Sequence, residues 1–389
     1  MQNVIYLDNA ATTRMYDEVI EYIDIVNRNT YGNPSSFHRI GIEAERILKE
    51  ARNIIGHSLS CDKGTVYFTS GGTESNNLAI KGFVEANKRN GNHLITTKIE
   101  HPSVLELYKY YSVNGYDVDY IDVNEYGYLK LDELRRKINN NTILISIIHV
   151  NNEIGTIQSI KEISSLKNSI NKDVVIHVDA VQAFGKIQTL PEKDGIDLMS
   201  ISSHKIHGPK GVGALYVNKN IKIKPIILGG GQEFKLRSGT ENTAGIAGFS
   251  RAVEIAASGM KSNFLKIDSL KNLFLENLRA SISDEKYRVV SPSGGTPYIL
   301  NISFTNIKAE VLLHHLDEKG ICVSTTSACS SRSKDRSHVL KAIGLKDYEI
   351  EGAIRISFSS FNTEEEILKA VEEIKKILPK IEIKRGGRR

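Results

Sequence analysis

Thr142-Ile-Leu-Ile-Ser-Ile-Ile-His-Val150 and Val174-Val-Ile-His-Val-Asp-Ala-Val-Gln182 stand in succession near the middle of the chain. The first, and the second as far as Val178, are almost unbroken apolar runs. That is the pattern of strands covered on both faces, as in a parallel sheet. Similar short runs rich in Val, Ile and Tyr occur at Thr65–Thr69, His93–Thr97, Asp117–Asp122, Asp197–Ile201 and Ala214–Val217. Amphipathic helices alternate with them. In Glu43–Ile55 the apolar residues Ala44, Ile47, Leu48, Ala51, Ile54 and Ile55 keep the spacing of one helical face, and Leu131–Ile138 is a shorter case. Such alternation predicts an α/β fold with a large, mostly parallel sheet between helices. In that architecture ligands sit beyond the carboxyl ends of the strands.

The pattern changes after about Lys261. A long helix over Phe264–Leu278 leads into strands at Tyr298–Phe304, Ile321–Ser324 and Ala353–Phe358. These alternate with helices Ala309–Lys319, closed by Gly320, and Glu364–Leu378, opened by a Thr363/Glu366 capping box. The expected organisation is a large domain, 15–260, and a smaller α/β domain made of 1–14 and 261–389. Residues 324–337 read STTSACSSRSKDRS. So polar a run cannot anchor itself by burial and is expected to be mobile.

The 389 residues are enough for such a body without disulfide staples. Three cysteines, Cys61, Cys322 and Cys329, make no framework and fit a reducing compartment. No apolar run approaches the ~18 residues of a membrane span. Met1–Arg14 lacks the charged start and apolar stretch of a signal peptide. A net charge of +5, with basic residues clustered only at the tail, is ordinary for a cytoplasmic enzyme. Neither membrane association nor direct nucleic-acid binding is expected. Collagen-like, disordered and disulfide-rich secreted classes are excluded.

Three clusters carry possible chemistry, each at the predicted carboxyl end of a strand. In Ser70-Gly-Gly-Thr-Glu-Ser-Asn-Asn77 two glycines turn the chain and Thr73 opens a helix. This reads either as a capped tight turn or as a phosphate cradle of free N–H groups. It matches neither the Walker A nor the dinucleotide pattern. Asp179 reads as a solvated carboxylate or helix cap, or as the partner of a buried cation. In Ser202-Ser-His-Lys-Ile-His-Gly-Pro-Lys-Gly-Val-Gly213, Lys205 reads as a surface charge or as a desolvated amine able to form a Schiff base. Phosphate cradle, carboxylate and amine together are the set that pyridoxal 5'-phosphate requires.

The ordered motifs go further. Tyr6-Leu-Asp-Asn-Ala-Ala-Thr-Thr13, Gly32-Asn-Pro-Ser-Ser36, Ser70–Asn77, Glu100-His101, Val150-Asn-Asn-Glu-Ile-Gly155, His177–Gln182, Ser203-His-Lys205, Arg237-Ser-Gly-Thr240 and Ser327-Ala-Cys-Ser330 closely resemble the cysteine desulfurases. These are class V aminotransferases of fold type I, dependent on pyridoxal phosphate. The resemblance implies that Lys205 is the Schiff-base lysine and that Asp179 pairs with the pyridine nitrogen. It implies that Gln182 and Asn152 contact the cofactor, and that His101 stacks on its ring and shuttles protons. Gly72, Thr73, Ser202 and His204 would hold the phosphate. Thr240 would be donated across a homodimer interface. Arg355, and Asn33 of the Gly32–Ser36 motif, would bind the substrate L-cysteine. Cys329 would be the nucleophile that carries the persulfide to an acceptor, an iron–sulfur scaffold or a tRNA-thiolation enzyme. No metal is implied. A frequent Ala of this family is Gly72 here, and its usual Gly and Pro within the cysteine loop are Thr326 and Arg336. The rivals are a selenocysteine lyase or an aminotransferase on the same fold and, in another class, a silent sulfur-carrier or docking protein.

Overall fold

The computed structural model describes residues 4–61, 64–325 and 336–383. Cys329 lies outside the described residues. The strands are β1 Ile5–Tyr6, β2 Gly64–Thr69, β3 His93–Thr97, β4 Asp117–Ile121, β5 Thr142–Ile148, β6 Val175–Asp179, β7 Leu198–Ser202, β8 Gly213–Asn218, β9 Tyr287–Val289, β10 Ile299–Phe304, β11 Ile321–Cys322, β12 Ser324–Thr325 and β13 Ala353–Ser357.

Seven of them form one sheet in the order β2-β8-β7-β6-β5-β3-β4. Only β8 runs against the rest. Every residue of β5, β6 and β7 is buried, as the apolar runs predict for strands with helices on both faces. The order is non-sequential, so the strand ends nearest the centre come from distant parts of the chain. The carboxyl ends of β2, β3, β5, β6 and β7 share one edge.

A second sheet, β12-β13-β10-β9, is antiparallel. The amino-terminal β1 pairs with β11. From there the chain crosses to the large sheet's edge. Asn9 donates to the Ser357 carbonyl at 2.9 Å, and the Ala10 N–H donates to Ser357 Oγ at 2.8 Å. This segment therefore ties the second sheet to the loop after β7.

Three boundaries differ from expectation. The helix expected at Phe264–Leu278 is Thr243–Ser281, capped by Asn242. Its first part, residues 244–250, is buried on all sides, with Gly245, Gly248 and Ser250 set among apolar residues, so no amphipathic stripe marks it. The strand expected at Ile321–Ser324 is two strands, because the chain leaves β1 after Cys322 and joins β13 at Ser324. The helix expected to open at Thr73 begins at Gly72, with Gly71 as its cap. Most of the polar segment 324–337, residues 326–335, lies outside the described residues; at its described ends Ser324, Thr325 and Ser337 are buried, and Ser337 caps the helix His338–Ala342. The Thr363/Glu366 capping box forms as expected.

Candidate active site

The turn after β2 needs glycine. Gly71 has φ 151°, a conformation that L side chains rarely adopt. A Cβ on Gly213, at the start of β8, would lie 2.7 Å from the Gly71 Cα. At Gly72, where the family often has alanine, a Cβ would meet Val181 Cγ2 at 2.6 Å. A side chain there would have to displace the Val181 methyl. Beneath the turn, Ser202 Oγ is buried and has no hydrogen-bond partner among the described residues. An unmet buried hydroxyl beside the amino end of a helix is a site for an anion. Thr73 stands exposed at the same helix end. The His204 ring is pushed down to about 4 by burial and by the Lys205 charge, so it is neutral there. Its Nδ1 bonds Thr12 Oγ1 at 3.1 Å.

Asp179 ends β6 and is buried. Its Oδ1 accepts from Val181 N–H at 3.0 Å and its Oδ2 from Asn76 Nδ2 at 2.8 Å. Lys205 ends the single 3₁₀ turn after β7. Its Nζ donates to the carbonyls of Ala10 and Ala11, both at 2.7 Å. The Ala10 carbonyl also accepts from Gln182 Nε2 at 2.8 Å. Behind them lies Lys186, whose Nζ donates to Gln182 Oε1 at 2.9 Å. Burial, aided by the charges of Lys205 and Arg355, lowers Lys186 to about 7. A carbonyl only accepts, so Ala10 fixes which way the Gln182 amide points: its NH2 faces Ala10 and its oxygen faces Lys186.

The family's histidine position, His101, caps the helix Pro102–Val113 with Nδ1. Burial lowers its pKa more than the neighbouring Asp179 charge raises it. His101 lines a cavity with Asn152, Glu153, Thr325, His338 and Arg355. Arg355 is 4% exposed. It donates from Nη1 to the Asn152 carbonyl and from Nη2 to Asp8 Oδ1, each at 2.9 Å. Its Nε is buried without a partner among the described residues. A guanidinium braced at two corners with a spare N–H is built to take a carboxylate.

The chain's folding thus brings Gly72, Thr73, Ser202, His204, Lys205, Asp179, Gln182, His101 and Asn152 to one sheet edge, where Arg355 of β13 bonds the Asn152 carbonyl. Asn33 and Thr240 do not join them. Both are exposed, and the Asn33 amide oxygen accepts from Ser35 N–H within its own loop. Sequence reasoning left four contributors unassigned: Asn76, Ser103, Lys186 and Asp8. Asn76 lay inside a quoted motif, but nothing in its spacing shows which way its amide points.

The residues present fit pyridoxal phosphate. An unmet serine hydroxyl and helix end suit the phosphate, a buried carboxylate suits the ring nitrogen, and an amine lies nearby. One neighbouring group gives a stability prediction. Glu100 is 0% exposed and is pushed up to about 8 by burial. Its carboxyl is protonated in the folded protein over a range where the unfolded chain is ionised. Stability from this group is therefore present below pH ~4.5 and is lost as pH rises through about 8. Glu100→Gln copies the protonated form. It is expected to stabilise the protein by ~3–5 kcal/mol at pH 9 and little at pH 4.5, read from urea midpoints at the two pH values.

The aminotransferase class-V family description matches residues 5–369. A protein of Dictyoglomus turgidum called cysteine desulfurase IscS is 41% identical over 381 residues, covering 98% of this chain and 96% of that protein. Cysteine desulfurase IscS 1 of Archaeoglobus fulgidus is 40% identical, covering 97% of each. Among solved structures, a NifS-like protein superposes with a TM-score of 0.91 at 39% identity, covering 97% of this chain and all of that one. SspA in complex with cysteine gives 0.79 at 34% identity, covering 92% of this chain and all of that one. Each of these similarities runs nearly end to end on a shared α/β architecture, and by them the chain belongs to the class V aminotransferase family, among its cysteine desulfurases.

Proposed function

We propose that this enzyme uses pyridoxal phosphate to take sulfur from L-cysteine, releases L-alanine and keeps the sulfur as a persulfide on Cys329. One observation carries the reading. The amine of Lys205, the carboxylate of Asp179 and the Gly72/Ser202 anion pocket converge on one sheet edge, opposite a braced arginine.

The bound cofactor supplies an aldehyde for the substrate amine and a ring that accepts the electron pair left when Cα loses its proton. The protein does the rest. Gly72, Thr73, Ser202 and His204 hold the phosphate, and Asp179 keeps the ring nitrogen protonated. Gln182 and Asn152 complete the cofactor contacts, Gln182 with its amide already set by the Ala10 carbonyl. Arg355 binds the substrate carboxylate. Lys205 Nζ takes the Cα proton. The Cys329 thiolate attacks the substrate sulfur, so an S–S bond forms as the Cβ–S bond breaks. The electron pair of the broken bond stays with carbon, which is protonated to alanine.

Arg355→Lys keeps a charge but loses the fork. It is expected to raise KM for cysteine about 10- to 100-fold, the worth of one or two charge-assisted bonds, with a smaller change in kcat. An unchanged KM in steady-state assays would remove Arg355 from the substrate site.

The finer parts of the proposal are these. Residues 15–260 bind the cofactor, while 1–14 and 261–389 form the small domain that carries Cys329. The active form is a cytoplasmic homodimer in which the exposed Thr240 reaches the partner subunit's phosphate. The persulfide passes to a protein acceptor, an iron–sulfur scaffold or a tRNA-thiolation enzyme. Product analysis tests the core of it: equal alanine and sulfide from cysteine plus a thiol reductant supports the reading, and a keto acid product overturns it.

A further inference from the structure

An ionised carboxylate only accepts hydrogen bonds. Asp179 Oδ2 therefore requires that Asn76 present its NH2 group, which it does at 2.8 Å. The second hydrogen of the same NH2 goes to Ser103 Oγ, also at 2.8 Å. Ser103 Oγ, loaded as an acceptor on that side, has its own hydrogen left for His101 Nδ1 at 2.7 Å. The Ser103 backbone N–H points at the same nitrogen from 3.1 Å. Two donors thus converge on Nδ1, which has no room for a proton of its own.

The arrangement has a visible cost. Asn76 Oδ1 is buried with no partner among the described residues. Flipping the amide would set its one oxygen against the Asp179 carboxylate, losing that bond, and would leave Ser103 Oγ to pair with it only by turning its hydrogen away from His101. The orphaned oxygen is what remains once the carboxylate dictates the amide's direction.

We propose that Asn76 and Ser103 are positioning residues that transmit the acceptor demand of Asp179 to His101 and hold its imidazole as the Nε2–H tautomer. His101 then offers the site a fixed hydrogen-bond donor at Nε2 and is not the base that takes the substrate proton, a task left to Lys205. Burial, which keeps the ring below its ordinary pKa against the pull of Asp179, favours the neutral form in which this tautomer exists. The inference deepens the proposed function and rests on it only for the identity of the substrate. The hydrogen-bond chain itself involves no ligand.

The test is a long-range proton–nitrogen correlation spectrum of the full-length protein, as purified, with its histidines labelled with nitrogen-15. For His101 the expected pattern is a protonated Nε2 and a hydrogen-bonded, unprotonated Nδ1. Asn76→Ala, which does not touch the ring, is expected to shift the Nδ1 resonance toward that of an unbonded imidazole nitrogen. Ser103→Ala is expected to shift it further, and Ser103→Thr to restore it. The exposed His57 and His314 serve as unmoved controls. A protonated Nδ1 or a fast tautomer average in the wild type overturns the proposal, and so does an Asn76→Ala spectrum with Nδ1 unmoved. Should Asn76→Ala fail to fold, the wild type and the two Ser103 variants still decide. Because the readout is a nitrogen shift and not turnover, a failed desulfurase assay would leave this result standing, and the reverse.

Discussion

Replacing Lys205 with alanine is expected to lower alanine formation from cysteine by about four orders of magnitude, the scale set by losing a positioned proton-transfer group. Borohydride should fix the cofactor covalently to the wild type and not to the variant. The fold should survive. The amine gives up two hydrogen bonds to the Ala10 and Ala11 carbonyls, each worth a net ~1 kcal/mol, and Ala11 is exposed enough for water to replace the donor. A second signature is electrostatic. The charge of Lys205 helps to lower both Lys186 and His204. Removing it should raise both pKa values, with Lys186 moving up from about 7. A variant that keeps borohydride-fixed cofactor would show that another amine holds it, and Lys186 would be the first to examine.

Cys329→Ala is expected to have an equally large effect of a different kind. The variant should keep its cofactor spectrum and bind cysteine, since Asp179 is held by Val181 and Asn76, Lys205 by the Ala10 and Ala11 carbonyls, and Arg355 by Asp8 and the Asn152 carbonyl. It should nevertheless release no alanine above background in a chromatographic assay. Undiminished turnover would place the sulfur-accepting thiol elsewhere. Cys322, in β11 and raised in pKa by burial, is a poor substitute, because a nucleophile must be a thiolate.

What the sequence made legible follows from what each signal encodes. Strands buried on both faces betray themselves as apolar runs, and β5 and β6 were plain for that reason. The residues just past those runs, Asp179 and Lys205, could then be placed at the binding edge before any contact was known. The Thr243–Ser250 stretch was not legible as helix, because residues 244–250 are buried all round, two glycines and a serine among them, and leave no stripe. The β11/β12 break was hidden because a switch between sheets changes partners, not composition. In the site, charged and Gly-rich motifs stood out, whereas the groups that aim them did not. The Ala10 and Ala11 carbonyls act through backbone atoms that no side-chain pattern reports. The roles of Asn76 and Ser103 depend on which atom of an amide faces a carboxylate. Arg355 in isolation reads as an exposed strand residue, and only the fold reveals that Asp8, 347 positions away, braces it.

The central claim is that the amine at 205 and the thiol at 329 act on one cysteine molecule. Mass spectrometry after a single turnover tests it most directly, with cofactor-loaded protein, one equivalent of L-cysteine and no acceptor. The peptide containing Cys329 should gain the mass of one sulfur atom, matched by one alanine per active site, and Lys205→Ala should show neither. Sulfur on the Cys61 or Cys322 peptide, or alanine formed with the Cys329 peptide unchanged, would contradict it.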